Sequence, residues 1–257
     1  MATTPTPGAP TPGQPARLEV GTVVNKVWRI YVDQAPVLMP AAAVVFVFTG
    51  ILSTVLLRSS AGLGLIAELI GLVATWLFTG MVVELVADVQ DGRRDATPGQ
   101  LLRAVIPVLG SLVLVAVVAG ILILIGFVAI VVPGLILLTI WSVAVAVVVI
   151  ERPPGLGALG RSRELVRGNG WQVFGVILIM YFLVLVVSAT LEAAGDSAGT
   201  GVGIVVSVVV GVLTAPLPAL AQSVLYFELL AVRGERRPSP SPLGGPGAPA
   251  ANPFGEP

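Results

Sequence analysis

Apolar residues along this chain form six long blocks, and short polar segments separate the blocks. A helix rises 1.5 Å per residue, so about 20 apolar residues cross a hydrocarbon core roughly 30 Å thick. Each block carries almost no charge and comes close to that length or exceeds it. The pattern therefore predicts an all-α integral membrane protein with six transmembrane helices. The predicted spans are about 36–57, 62–85, 110–132, 135–150, 173–192 and 202–228.

Short segments with helical periodicity precede the first, third and fifth spans. In residues 17–33, polar and charged positions recur every three or four residues, and apolar residues occupy the opposite side. Residues 96–109 and 155–169 repeat this arrangement, with arginine off a leucine-rich face. A helix with one apolar and one charged face beside a span is typical of the membrane interface. We expect three short amphipathic helices that lie on the cytoplasmic surface of the membrane.

Proline and glycine indicate where the spans reverse or bend. Val132-Pro133-Gly134 predicts a tight reversal between the third and fourth spans, and residues 193–201 predict a polar turn between the fifth and sixth. Residues 202–232 are too long for one straight crossing, and Pro216 and Pro218 predict a kink within them.

The two ends of the chain differ from its middle. Residues 1–16 and 234–257 are rich in Pro and Gly and nearly free of large apolar side chains. Such segments bury too little surface to offset the entropy lost on ordering. We therefore expect a membrane domain at 17–233 between two disordered tails.

Composition supports a membrane location and narrows the chemistry. Apolar residues make up 56% of the chain and charged residues 11%, whereas a soluble domain carries about 25% charged residues. The formal net charge is zero, so no nucleic-acid partner is expected. The sequence contains neither Cys nor His, which removes the thiolate nucleophile, the commonest general base and the commonest metal ligand. We expect no enzymatic activity, no cofactor and no metal site.

The distribution of basic residues predicts the topology. If both termini and the three short helices face the cytoplasm, thirteen of the fourteen Lys and Arg residues lie on that side, and only Arg58 lies opposite. Basic residues concentrate in cytoplasmic loops of membrane proteins. The sequence therefore predicts a multi-pass protein of the plasma (inner) membrane with both termini in the cytoplasm.

The order of the elements suggests an internal repeat. Each predicted amphipathic helix leads into a two-span hairpin and opens at a glycine: Gly21, Gly99 or Gly157. Arg103 and Arg161 follow their glycines by four positions, and Lys26 follows the first glycine by five. Three copies of one unit suggest pseudo-threefold organisation. The alternative is duplication without functional symmetry.

Several motifs resemble a bacterial membrane family. They are Leu18-Glu19-Val20-Gly21, Pro133-Gly134, Trp141, Glu151, the segment from Ala158 to Asn169, and Tyr226-Phe227-Glu228. Over about 17–237 the chain is similar to the six-span membrane domain attached to some glycerophosphoryl diester phosphodiesterases. The resemblance implies a membrane domain without assigned chemistry, because the phosphodiesterase activity of that family belongs to a separate soluble barrel. The Pro-rich tails depart from the family's pattern.

Acidic residues at the predicted inner end of the second span form the first candidate site. Glu84, Asp88 and Asp91 share one helix face, and Glu228 ends the sixth span at the same depth. The functional interpretation is an ion or substrate vestibule at Glu84 and Glu228. The structural interpretation, which we favour, is a collar of salt bridges to arginines at that depth, which are Arg103, Arg161, Arg163 and Arg233.

Glu68 is the second candidate because an isolated carboxylate in a span is costly. It lies near the outer end of the second span, where it either reaches the outer interface or marks a proton or ion path.

Small residues repeat every four positions on the sixth span, at Gly203, Ser207 and Gly211. They predict close helix packing within the chain, with homodimerisation as the alternative.

Two classes of function remain. The favoured one is a non-enzymatic membrane protein that organises lipids or partner proteins through its basic surface helices, including Arg103, Arg161, Arg163 and Arg167. Anionic lipid headgroups are the expected ligands, at about 1 kcal/mol per basic residue. The alternative is a small transporter or channel with Glu68, or the Glu84 and Glu228 rim, in its path.

Overall fold

The computed structural model describes residues 18–59, 61–92, 97–197 and 200–235, and these ranges are almost entirely helical, without strands. The predicted tail at 1–16 and nearly all of the tail at 234–257 lie outside the described residues. The helices are α1 (Val20–Asp33), α2 (Ala35–Ser59), α3 (Ala61–Gln90), α4 (Pro98–Val105), α5 (Leu109–Ala129), α6 (Val131–Ile140), α7 (Ala144–Ile150), α8 (Gly157–Val166), α9 (Gly170–Ser197), α10 (Thr200–Thr214) and α11 (Pro216–Val232).

Within the described ranges, six helical segments are long and apolar enough to cross a membrane, as the sequence predicts. They are Ala35–Ser53, Ile66–Gln90, Pro98–Ala129, Val131–Ile150, Gly170–Gly195 and Val205–Val232. Consecutive helices pack as three hairpins, α2 with α3, α5 with α6, and α9 with α10. We call the end of the bundle at which these hairpins reverse the hairpin end.

In each hairpin the returning helix is more buried than the helix before it. Within an 18-residue apolar stretch of each segment, buried positions make up 39%, 50% and 39% in the three returning segments, against 11%, 17% and 22% in the three preceding ones. Away from the hairpin end, α3, α7 and α11 contact one another and supply fully buried side chains such as Phe78, Val147 and Leu220. The returning helices therefore form the centre. The preceding helices expose apolar side chains such as Phe48, Leu124 and Phe182, as lipid contact requires.

The second hairpin reverses earlier than the sequence suggests. Ile130 is the extended residue between α5 and α6, and Val131 already begins α6. Pro133 lies in the first turn of α6, where its missing N–H has no helical partner to lose. Gly134 packs against α5, and a Cβ there would lie 2.5 Å from Cγ of Phe127. Pro133 and Gly134 therefore begin and pack a helix instead of forming the reversal.

Two of the three returning helices are interrupted. The break that Pro216 and Pro218 predict is present, because α10 ends at Thr214 and α11 begins at Pro216. A second break, at residues 141–143 between α6 and α7, has no proline or glycine to indicate it.

Each of the three short helices packs on the returning helix of another hairpin. α4 contacts α3, α8 contacts α7, and α1 contacts α11 at the far end of the chain. Val23, Val27 and Ile30 are the buried residues of α1, while Leu159 and Leu165 are buried on α8. In α4 the capping box of Thr97 and Gln100 fixes the start of the helix, and its inner side is again buried.

Each short helix makes a specific contact with the returning helix on which it packs: a close approach to a glycine in one case and a hydrogen bond to a backbone carbonyl in the other two. Val105 of α4 packs against Gly80 of α3, where a Cβ would lie 2.7 Å from the valine Cγ1. The Ser162 hydroxyl of α8 donates to the carbonyl of Ile140 at 2.8 Å, at the end of α6. The Tyr31 hydroxyl of α1 donates to the carbonyl of Leu213 at 3.0 Å, near the end of α10. The two interrupted helices thus receive hydrogen bonds beside their breaks.

Two local expectations differ from the structure. The predicted polar turn at 193–201 is helical as far as Ser197, where α9 ends. Leu156, expected on the apolar face of the third amphipathic helix, precedes α8 and is 44% exposed.

Candidate functional site

Ion pairs gather at the end of the bundle opposite the hairpin end, which we call the charged end. Arg161 of α8 is their centre. Its Nε lies 3.0 Å from Oε2 of Glu151, at the end of α7, and its Nη1 lies 3.3 Å from Oε2 of Glu164. Its Nη2 also binds the carboxylate of Glu235, beyond α11. One half-buried guanidinium therefore joins α7, α8 and the chain after α11.

Hydrogen bonding and charge hold Arg161 in its ionised form. The hydrogen bond to Glu235 raises the pKa of Arg161 above its usual value, and Glu151 adds to this effect while burial opposes it. The Tyr226 hydroxyl donates to Oε1 of Glu151 at 2.9 Å, so α11 joins the same group of side chains. Buried ionic groups need such additional donors to offset the cost of desolvation.

Arg233 secures the C-terminal end of α8. Its guanidinium donates to the carbonyls of Glu164, of Leu165 at 3.3 Å and of Arg167 at 3.3 Å. The last carbonyls of a helix lack intrahelical partners and carry partial negative charge, so a cation there is stabilising. Residues just after α11 therefore hold α8 at its middle, through Arg161, and at its C-terminal end.

Arg152 occupies the corner between α7 and α8 with a φ of 52°, the left-handed region that favours glycine. Its Nη2 lies 3.4 Å from the carbonyl of Ala104 and 3.9 Å from Oε1 of Glu84. The corner thus brings the arginine side chain to α4 and α3.

α1 is attached by its own ion pair. Nζ of Lys26 lies 2.7 Å from Oε1 of Glu228 on α11. Burial raises the pKa of Tyr31, so its hydroxyl stays protonated as the donor to Leu213.

Most predicted acidic residues lie at this end. Glu84 and Glu228 each face a cation, as a collar of salt bridges would require, although Arg152 and Lys26 take the roles expected of other bases. Asp88 is half-buried one turn beyond Glu84. Glu68 lies apart from this group and is exposed on the outside of the bundle.

The predicted basic residues separate into two sets. Arg161 is engaged in the network, whereas Arg103, Arg163 and Arg167 are exposed. The sequence did not indicate the roles of Glu151, Tyr226 and Glu235. Glu151 could have been suspected, because a carboxylate directly ends an apolar span, but its partners are distant in sequence.

Exposed apolar side chains accompany the exposed arginines of the short helices. Trp28 beside Arg29 on α1 is 54% exposed, and Ile106 just after α4, near Arg103, is 53% exposed. Leu156, before α8, and Trp171, at the start of α9, are also exposed. Large apolar side chains interspersed with arginine suit the boundary between headgroups and acyl chains.

No group of side chains suited to a metal ion occurs among the described residues. A small pocket between α2, α3 and α4 is lined only by apolar side chains, among them Leu38, Phe78 and Leu101.

Six membrane-length helices and an apolar exterior define the class of this molecule, a multi-pass helical membrane protein. The chain belongs to the family described as a domain of unknown function, DUF8558, whose profile matches residues 100–231, just over half of the chain. The match runs from α4 into α11. No curated protein and no solved structure matches the chain.

Proposed function

We propose that this protein is a non-enzymatic module of the bacterial plasma membrane that gathers anionic lipids at its cytoplasmic surface. The observation that carries the proposal is the outer surface of the three short helices. Each carries an exposed arginine and has an exposed large apolar side chain on it or directly beside one of its ends: Trp28 with Arg29 on α1, Ile106 just after α4 with Arg103, and Leu156 just before α8 with Arg163. A helix in water gains nothing from such apolar exposure, whereas a helix at the interface buries it among lipids.

The charge distribution supports the same orientation. The charged end carries the excess of Lys and Arg that is typical of cytoplasmic surfaces. Anionic lipids are enriched in the cytoplasmic leaflet of the membrane. Lys26 and Arg161 form ion pairs within the protein, and these pairs hold the short helices on the bundle. The exposed arginines are then the basic groups left to meet headgroups.

The docking pattern supports the repeat as part of this proposal. Each short helix packs on the returning helix of another hairpin, and α1 on α11 closes a ring of three such contacts. A pseudo-threefold arrangement would present three lipid-facing helices around one axis. The resemblance to the membrane domain attached to glycerophosphoryl diester phosphodiesterases fits a lipid-organising role, and it stays a prediction.

The experiment measures lipid preference directly. Delipidated protein in detergent is titrated with phosphatidylglycerol or phosphatidylcholine, and the bound lipids are counted by native mass spectrometry. We expect the wild type to retain phosphatidylglycerol preferentially. Replacing Arg29, Arg103 and Arg163 with Gln removes about 3 kcal/mol of attraction at low salt, on the order of a hundredfold in preference.

Arg58→Gln is the matched control, since it makes the same change at the opposite end of the predicted topology. An equal loss of preference in Arg58→Gln and the triple variant would contradict the proposal. So would a wild type that retains both lipids equally.

A further inference from the structure

The corner between α8 and α9 has features of a more specific site. Two cations there are not used by the fold, because Arg163 and Arg167 are exposed and neither forms an ion pair with another described residue. Arg163 lies in the last turn of α8, and Arg167 is the residue directly after that helix, four positions later. By contrast, Lys26, Arg152 and Arg161 contact carboxylates.

Negative groups around this corner already have partners. Glu164, which lies between the two arginines in sequence, is held by Arg161, which also binds Glu151 and Glu235. Arg233 caps the carbonyls that end α8, including that of Arg167. The carboxylates nearest this corner are therefore already engaged by Arg161, and the exposed guanidinium groups of Arg163 and Arg167 are the basic groups that an approaching anion meets there.

The backbone of the corner is fixed before any ligand arrives. Gly168 adopts a φ of 94°, which favours glycine, and the Asn169 N–H donates to the carbonyl of Val166 at 2.9 Å. The Asn169 side chain is buried, and its Oδ1 accepts from the backbone N–H of Leu18 at 3.5 Å. The backbone carbonyl of Asn169 accepts from the N–H of Val173 at 3.0 Å. A rigid corner loses little entropy when it binds.

Trp171 indicates which kind of anion fits. Its side chain is 83% exposed in the first turn of α9, four residues after Arg167. Tryptophan is enriched at headgroup level, where its ring lies among lipid and its N–H meets polar groups. Guanidinium groups bind phosphate through paired N–H donors.

We infer that Arg163 and Arg167, next to Trp171, form a binding site for the phosphate of an anionic glycerophospholipid headgroup. This inference rests on the proposed function and names one site within it. Arg233 supports the site by neutralising the end of α8. A water-soluble phosphate ester shares the same chemistry, so the experiment distinguishes the two sources.

The test compares two double variants in the phosphatidylglycerol titration, each of which removes two exposed arginines. Arg163→Gln with Arg167→Gln should lower the affinity of the tightest bound lipid about tenfold or more, whereas Arg29→Gln with Arg103→Gln should leave that lipid bound. Arg163→Lys with Arg167→Lys should keep part of the affinity, because the charge remains without the planar guanidinium. A melting curve for each variant separates lost binding from lost folding.

Each outcome is decisive. Equal weakening in both double variants would overturn this site but leave the proposed function standing. No weakening in either would overturn both. Displacement of the lipid by millimolar glycerol 3-phosphate would assign the site to a soluble ligand, whereas resistance to it would support the lipid.

Discussion

Arg161→Gln should loosen α8 more than any other single charge removal at the charged end. The wild-type guanidinium contacts Glu151, Glu164 and Glu235, and its side chain is 23% exposed. Gln cannot supply positive charge or the same set of donors. Glu151 would keep the hydrogen bond from Tyr226, but Glu235 would lose its contact with Arg161.

The burial of each partner sets the size of the effect. The Glu164 side chain is 61% exposed, and pairs of that kind contribute about 0 to 1 kcal/mol. The Glu151 and Glu235 side chains are 19% and 32% exposed, so they remain partly desolvated after the change. Breaking a fully buried pair costs about 3 to 5 kcal/mol, and this partial burial reduces the cost to about 2 kcal/mol. Arg161→Lys should cost about half as much, since one ammonium cannot match the planar fork.

Two measurements report on this change. Thermal unfolding in detergent gives the stability, and limited trypsin digestion at Arg163 and Arg167 shows whether α8 leaves the bundle. Arg161→Gln should lower the midpoint by about 4 to 8 °C and speed cleavage. Arg163→Gln serves as the stability control, since exposed substitutions usually change stability by less than about 0.5 kcal/mol.

The reasoning would be refuted if Arg161→Gln melted like the control and was digested at Arg163 and Arg167 as slowly as the wild type. A double variant with Glu235→Gln adds a second check, because the two changes remove one interaction. Their combined cost should fall short of the sum of the single costs by about 1 kcal/mol.

Two further predictions concern packing. Gly134→Leu should lower the thermal midpoint because its Cβ would collide with Phe127, a strain of about 1 to 3 kcal/mol. Gly120→Leu on α5 should leave the midpoint nearly unchanged, since nothing lies within 4 Å of its Cβ position, and equal effects would contradict this account. Ser162→Ala should cost about 1 to 2 kcal/mol by leaving the carbonyl of Ile140 without its side-chain donor. Denaturant unfolding would measure this loss of stability, provided that the slope of the unfolding free energy against denaturant concentration is the same in the variant and the wild type. An unchanged stability would show that water replaces the hydroxyl.

Hydropathy predicted the number of membrane-length helices because lipid requires long apolar helices whatever their neighbours are. Proline chemistry likewise predicted the break before Pro216. The break at 141–143 lies in an apolar run without a helix breaker, and one of the groups that supports it, Ser162, comes from α8. The local periodicity of a sequence does not predict contacts between segments that are distant in the chain.

The same limit applies to the charged end. The sequence suggested that acids and bases would gather at one depth, but not which would pair. Glu84 was expected to meet one of several arginines on the surface helices, yet it lies near Arg152 at a corner with left-handed backbone. Small residues on α10 were left open between internal packing and dimerisation. Gly211 faces α2, where a Cβ would lie 2.7 Å from Phe46, so at that position internal packing explains the glycine.

The contact of α1 with α11 has a consequence for how the chain assembles. Lys26 and Glu228 are separated by 202 residues, so the docking surface of α1 is made long after α1 itself. At about 5 to 20 residues per second, α1 waits roughly 10 to 40 s for its partner during synthesis. Trp28 and Val32, each 54% exposed after docking, give α1 apolar groups that the headgroup region can hold meanwhile. In the orientation that we propose, the bilayer surface would be a temporary partner that keeps the first helix out of water until the last helix is inserted.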